Sequence, residues 1–294
     1  MPFLVLLLIA VGAGLGAAFL ARRYPQGAGA APVVGAGKHA TSPAEQRAVR
    51  AARLDPEKAT GLALTLALLV ILVGGIVLAL LAVVVRSSDA LSGIDSSVAE
   101  WGNRHASAWS HDALTLVTDL GEAVTVVVVA IVVAIIDFRR TRNRWVAPFL
   151  LAVILGDKLL TEAIKQLVDR ARPTIEAVAA TLGPSFPSGH TSTAAASWAA
   201  FALVAGRWWG RPSWPALTGL AVGIAVGVAC SRVLLDVHWL TDVLAGLALG
   251  WAWFAACAIA FGGRLLRFGA TAEAAGEGDR QPVAPPPARS RSRS

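Results

Sequence analysis

Between residues 60 and 85 no charged side chain interrupts the chain, and comparable apolar runs recur along most of its length. A helix of about 20 residues crosses a hydrocarbon core of roughly 30 Å. Segments suited to that task fall at 3–20, 60–85, 124–136, 145–164, 191–205, 216–229 and 240–261, a first one plus a block of six. With 55% hydrophobic and 15% charged residues, and a mean hydropathy of +0.62, the chain lies far from the soluble average. The expected fold class is all-α: a polytopic membrane protein with a six-helix transmembrane bundle and one extra N-terminal transmembrane helix. Several runs are short by hydropathy, and polar groups at helix ends account for the shortfall.

Arginine and lysine set the orientation. They gather in 22–58, at Arg139, Arg140, Arg142 and Arg144, at Arg207 and Arg211, and at Arg264 and Arg267, all on one side of the seven-segment scheme. That side is cytoplasmic, so the connections 86–120, 166–187 and 235–239 face outward, and a plasma-membrane location is expected. Residues 1–20 lack a basic residue before the apolar run and carry Arg22 and Arg23 after it, the reverse of a signal peptide. An uncleaved helix with its N-terminus outside is therefore expected. Trp145, Trp208, Trp209, Trp214 and Trp239 stand at segment ends, where aromatic belts form, whereas Trp198, Trp251 and Trp253 fall within segments.

The remaining regions read as follows. Residues 1–23 form the first helix, 24–58 a cytoplasmic linker with a short helix over 42–54, 59–268 the six-helix domain, and 269–294 a disordered basic cytoplasmic tail. The net charge of +7 is distributed by loop side, which suits topology and anionic lipid and gives no nucleic-acid surface. Cys230 and Cys257 lie inside apolar segments and read as small buried hydrophobes. In the outer connection, Leu91, Ile94, Val98 and Trp101 recur at helical spacing with Asp95, Ser96, Glu100 and Asn103 between them. An amphipathic helix at the outer interface is predicted there.

Three polar clusters interrupt the apolar pattern: Lys165 to Pro173, Phe186 to His190, and Ser231 to Asp242. His238 and Asp242, four apart at the entrance of the last segment, project from one helix face. An aspartate so placed can hold one imidazole nitrogen while the other attacks, as in a nucleophile with its orienting carboxylate. Alone, the pair reads more readily as an interfacial helix cap. Lys165, Arg172 and Arg232 decide the matter, because three cations near one histidine repel each other unless an anion lies between them, and a phosphoryl group is that anion. Ser188 and Gly189 open a helix whose N–H groups attract anions, and Gly189 permits close approach. His190 follows directly, placed to protonate a leaving oxygen and then activate water. Gly246 and Gly250 form a small-residue stripe for tight helix packing, and Lys158 with Glu162 has ion-pair spacing.

These clusters fit Lys-x6-Arg-Pro, Pro-Ser-Gly-His and Ser-Arg-x5-His-x3-Asp at every specified position. In this the chain resembles the type 2 phosphatidic acid phosphatase (PAP2) superfamily over residues 60–263. The resemblance implies that His238 forms a phosphohistidine, that Asp242 supports it, and that His190 serves as general acid and then base. Lys165, Arg172, Ser188, Gly189 and Arg232 would cradle the phosphoryl oxygens, with no metal or other cofactor. Asp236 stands where many relatives carry a small residue such as Gly. The implied substrate is a lipid phosphate presented by the bilayer at the outer leaflet: undecaprenyl diphosphate, phosphatidic acid or phosphatidylglycerol phosphate. The long apolar block separates the chain from the superfamily's soluble haloperoxidases. A transporter is the competing class, and it predicts mid-membrane ionisable groups and repeated halves, whereas here the polar groups gather at one face and no repeat is visible. A scaffold without turnover is the other alternative.

Overall fold

The computed structural model describes residues 2–23, 56–88, 90–105, 107–173 and 183–265. Residues 24–55 of the expected linker, its helix over 42–54, and the tail 269–294 lie outside the described residues. Nine α-helices and no strand occur among the described residues: α1 (Pro2–Arg23), α2 (Pro56–Ser87), α3 (Ser92–Arg104), α4 (Ala108–Thr118), α5 (Ala123–Thr141), α6 (Val146–Val168), α7 (Gly189–Trp209), α8 (Trp214–Leu234) and α9 (Leu240–Leu265). Each of the seven apolar segments falls within a helix that runs past it at one or both ends, except that Trp145 caps α6. The additions are polar, which is why hydropathy undercounted them.

The number of spans is a separate matter. Four helices (α1, α2, α8 and α9) are long and apolar enough to cross a membrane, and a fifth span results if α4 and α5, which meet at a 51° bend, count as one. Charged residues in α5 and α6 and the hydroxyl-rich start of α7 hold those helices below the same threshold. Length and composition therefore support four or five spans where seven were expected.

Helix α7 sits in the middle, packed against α5, α6, α8 and α9. Between them lies an apolar core built around Phe149, Val153, Phe201, Val204 and Cys257. Cys257 is buried and Cys230 partly so, both as free thiols, as expected of small hydrophobes. The glycine stripe of α9 works as predicted: a Cβ on Gly246 would stand 2.7 Å from the Ser188 carbonyl oxygen and 3.0 Å from Thr191 Cβ. Bare backbone thus lets the start of α9 lie directly on the start of α7. Helix α2 instead touches α9 mainly through Gly74, whose added Cβ would meet the Ala248 carbonyl at 2.8 Å. Its Leu68, Leu72, Leu80 and Val83 are exposed, as a face turned to lipid requires.

The first helix is more than an appendage. Pro2, Leu6, Ala10 and Gly14 form one buried stripe on α1 that packs along α8. At the crossing, Gly14 and Gly219 face each other so closely that a Cβ on either would lie 2.7 or 2.6 Å from the other's carbonyl oxygen. At the end of the bundle carrying the arginine-rich connections, buried Asp137 accepts hydrogen bonds from Thr141 Oγ1 (2.8 Å) and Trp208 Nε1 (2.9 Å), tying α5 to α7. Trp208 is thereby a tertiary anchor as well as a segment-end aromatic.

Candidate active site

Four helix ends converge at the opposite end of the bundle: the C-termini of α6 and α8 and the N-termini of α7 and α9. Helix α6 closes on Asp169 in the left-handed region (φ 48°), which turns the chain sharply after Lys165 and aims the following arginines back across the bundle. Helix α8 ends in a similar fold-back. The N–H groups of Val237 and His238 both reach the Arg232 carbonyl at 3.2 Å, through Asp236 at φ 56°. A left-handed residue is where glycine is favoured, and aspartate tolerates it better than most side chains. The small residue of many relatives thus has a backbone reason, and this chain meets the same turn with Asp236.

His238 is buried between two partners. Its Nε2 lies 3.1 Å from Arg172 Nη1, and its Nδ1 lies 3.4 Å from Asp242 Oδ2. A guanidinium only donates, so Nε2 must present its lone pair to Arg172 and Nδ1 must carry the proton facing Asp242. The Nδ1 contact is longer than an ordinary hydrogen bond, because Asp242 Oδ2 also accepts the Trp239 N–H at 3.0 Å. The helix-cap reading and the orienting reading are therefore both realised by one carboxylate. Burial pushes the His238 pKa down to about 4, with Arg232 and Arg172 acting in the same direction and Asp242 opposing them. The imidazole is neutral at physiological pH, with a lone pair on Nε2.

Arg172 is held rather than free: Nε donates to the Gly183 carbonyl (2.9 Å) and Nη1 to that of Val237 (2.8 Å). Desolvation lowers its pKa from the ordinary arginine value and Asp242 raises it again. Arg232 is buried, with Nη1 3.4 Å from Thr118 Oγ1, while its Nε has no hydrogen-bond partner among the described residues. A buried, unmatched guanidinium N–H is costly and is a ready donor to an anion. Lys165 Nζ lies 3.4 Å from Glu162 Oε1, so Glu162 pairs one turn toward the site, not with Lys158 as spacing alone suggested. A Cβ on Gly189 would lie 3.6 Å from Thr161 Cγ2 and 4.0 Å from Lys165 Nζ, ordinary contact distances that place this helix start beside the ammonium. Ser188 caps α7, its N–H donating to the Asp242 carbonyl (3.0 Å) and its Oγ accepting from Thr191 Oγ1 (3.0 Å). Burial pushes the pKa of His190, in the first turn of α7, down to about 3, with Arg232, His238, Lys165 and Arg172 acting in the same direction, so its imidazole is neutral until an anion joins these cations.

All eight residues singled out from the sequence are thus gathered at one end of the bundle. Others there were not foreseen. Arg170 Nη1 donates to Asp242 Oδ1 (2.6 Å) and Nη2 to Asp95 Oδ2 (2.7 Å). Asp95 was placed on the polar face of an interfacial helix; the helix forms, but Asp95, Ala99 and Gly102 are its buried side while Ile94 is exposed. Hydrophobicity misjudged that face because its central contact is ionic. Trp239 carries Arg170 over its ring at 5.5 Å and donates its indole N–H to the Ala171 carbonyl, so it belongs to the site's scaffold. Among the described residues no cluster of three or more His, Cys, Asp or Glu side chains is arranged to hold a metal ion.

Comparison with known proteins agrees with this arrangement. The PAP2 superfamily profile matches residues 145–265, which include every residue of the three clusters. Phosphatidylglycerophosphatase B of Bacillus subtilis is 30% identical over 167 residues, covering 55% of this chain and 81% of that protein. A lipid A 1-phosphatase of Rhizobium johnstonii is 32% identical over 37% of this chain and 45% of its own length. A decaprenylphosphoryl-5-phosphoribose phosphatase of Mycobacterium tuberculosis is 44% identical over 30% of this chain and 45% of its own. The chain spans just under half of the length of these last two relatives. The crystal structure of a transmembrane PAP2-type phosphatidylglycerolphosphate phosphatase from Bacillus subtilis superposes with a TM-score of 0.60 at 25% identity, covering 64% of this chain and 93% of that one. A helical membrane protein with a cation-lined histidine site is the class defined by fold and site. The chain belongs to the PAP2 superfamily, among its membrane lipid phosphatases.

Proposed function

We propose that this protein is a lipid phosphate phosphatase working through a phosphohistidine, with its site at the outer face of the plasma membrane and its C-terminus cytoplasmic. One observation carries the reading: a neutral, buried His238 whose Nε2 lone pair faces Arg172 while Nδ1 faces Asp242. In that tautomer Nε2 attacks phosphorus, the bond from phosphorus to the leaving oxygen breaks, and Asp242 supports the imidazolium that forms. The negative phosphoryl group offsets the cations that depress the His190 pKa, so that in the complex His190 carries a proton, which it gives to the leaving oxygen. It then takes a proton from water, whose oxygen attacks the phosphohistidine and releases inorganic phosphate with His238 restored. Lys165, Arg172 and Arg232, with Ser188 and the N–H of Gly189 at the start of α7, would hold the non-bridging oxygens; the unmatched Nε of Arg232 is one such donor. Charge is supplied by side chains, and no metal ion takes part in the scheme.

The catalytic unit is residues 59–268, with 1–23 an additional helix, 24–58 a cytoplasmic linker and 269–294 a cytoplasmic tail. The substrate is a membrane phosphomonoester or diphosphate. The relative matched over 81% of its length is a phosphatidylglycerophosphatase, which favours phosphatidylglycerophosphate beside phosphatidic acid and undecaprenyl diphosphate. Phosphate release from these three lipids by detergent-purified protein is the test. Turnover of at least one is expected, and the absence of release from all three would sink the proposal.

A further inference from the structure

Helix α3 lies outside the residues matched by the superfamily profile, yet its Asp95 is 1% exposed and accepts three hydrogen bonds at the site's edge. Oδ2 accepts from Arg170 Nη2 (2.7 Å) and Thr241 Oγ1 (2.7 Å), and Oδ1 accepts the Thr241 N–H at 3.0 Å. Arg170 uses its other nitrogen on Asp242 Oδ1 at 2.6 Å. A planar guanidinium therefore spans two buried carboxylates, one on α3 and one on α9. Thr241 is the second residue of α9, so Asp95 also caps that helix from outside, where a negative charge is favourable. Trp239 covers the face of the same guanidinium.

Both oxygens of Asp242 are thereby committed. Oδ1 is fixed by Arg170, which leaves Oδ2 turned toward Trp239 N–H and His238 Nδ1. Without the first contact the carboxylate could rotate about its Cβ–Cγ bond and release the imidazole. We propose that Asp95 and Arg170 form a positioning pair, through which α3 sets the rotamer of Asp242 and so the orientation of the His238 imidazole. The pair touches neither substrate nor His238; it reaches the imidazole through Asp242, while its bonds to Thr241 anchor the start of α9. Buried ion pairs of this kind contribute little net stability against apolar replacements, so orientation is the function that their geometry supports. The inference rests on the phosphatase reading of the site.

The test is a double-mutant cycle in detergent-purified full-length protein, with phosphate release from a short-chain phosphatidic acid as the readout. Asp95→Asn keeps an oxygen for the Thr241 N–H and replaces Oδ2 by an amide NH2, which removes the acceptor that Arg170 Nη2 and Thr241 Oγ1 share. Asp95→Asn and Arg170→Lys should each lower kcat about tenfold with KM nearly unchanged, in the range expected for members of one polar network. In the Asp242→Asn background, Asp95→Asn should cost nothing further. Multiplicative losses, or an unchanged kcat, would overturn the proposal. Glu100→Gln, on the exposed side of α3, should behave as wild type.

If Arg170→Lys does not survive purification, the Asp95 arms decide the question. A second readout needs no turnover: the Nδ1–H resonance of His238 in histidine-labelled protein, assigned by its loss in His238→Gln, should move in Asp95→Asn, and an unmoved resonance overturns the pair. Lack of wild-type turnover of all three lipids named above, or full turnover by His238→Ala, would instead refute the phosphatase reading, with the resonance still deciding the positioning pair.

Discussion

Gly246→Ala adds one methyl group at the contact of α9 with α7. The new Cβ would stand 3.0 Å from Thr191 Cβ and 2.7 Å from the Ser188 carbonyl oxygen. Carbon atoms rest at about 3.5–4.0 Å, so the helices must part by roughly 0.5 Å, and a backbone carbonyl cannot swing aside as a side chain could. Overpacking of this kind costs about 1–3 kcal/mol, and the gain in helix propensity on replacing glycine returns up to about 1 kcal/mol. A net loss of about 1–2 kcal/mol follows, which corresponds to a melting temperature lower by about 2–8 °C. The displacement also stretches the bond from Ser188 N–H to the Asp242 carbonyl, now 3.0 Å, and moves His190 away from His238. Since a misplacement of about 1 Å can cost a hundredfold in rate, half of that should lower kcat by roughly tenfold. Thermal unfolding in detergent and phosphate release are the two assays. Gly12→Ala is the control, because nothing lies within 4 Å of a Cβ there. Wild-type melting and rate in Gly246→Ala would refute the packing argument.

His238→Ala should abolish phosphate release by more than about a thousandfold with folding intact, and His190→Ala should lower kcat by about 10²–10⁴-fold while retaining phosphate binding; vanadate-protected melting checks the second. Because burial holds the His238 pKa near 4, below its unfolded value, protons bind the unfolded state more tightly between about pH 4 and 6.5. This residue therefore lowers stability as pH falls through that window and has no such effect above it. For the same reason the acidic limb of kcat/KM, corrected for substrate ionisation, should lie below the usual histidine range; a limb near 6.5 would contradict it. Orthovanadate should inhibit and chelators should not, as a five-coordinate phosphorus mimic predicts, and strict dependence on added magnesium would count against the scheme. For sidedness, Ser185 is unsuitable as a reporter because it is fully buried. Asn103→Cys should react with an impermeant thiol reagent on intact cells and Arg144→Cys should not, in a background with Cys230 and Cys257 replaced.

The site was legible because its chemistry is local in sequence. His238 with Asp242, Ser188 through His190, and Lys165 with Arg172 each sit within a few residues, and helix periodicity alone predicts who shares a face. Charge repulsion then implied that the clusters must meet around an anion. Asp95 was not legible, since its partner Arg170 is 75 residues away and nothing in the spacing of 91–103 distinguishes a buried carboxylate from a solvated one. Trp239 was read by position as a membrane-belt residue, and its role emerged only from the guanidinium over its ring. The helices themselves were visible in outline, but their polar ends were not, because hydropathy cannot tell a helix turn facing a site from a loop.

The crossing of Gly14 with Gly219 bears on how the protein is made. Helix α1 leaves the ribosome before α8, and its partner surface on α8 follows some 200 residues later. Until α8 arrives the Gly14 face of α1 lacks the surface that it fits, so insertion and assembly of this helix are separate events in time. Helix α8 also carries Arg232. Completion of the anion-binding end and capture of α1 thus depend on the same segment of the nascent chain.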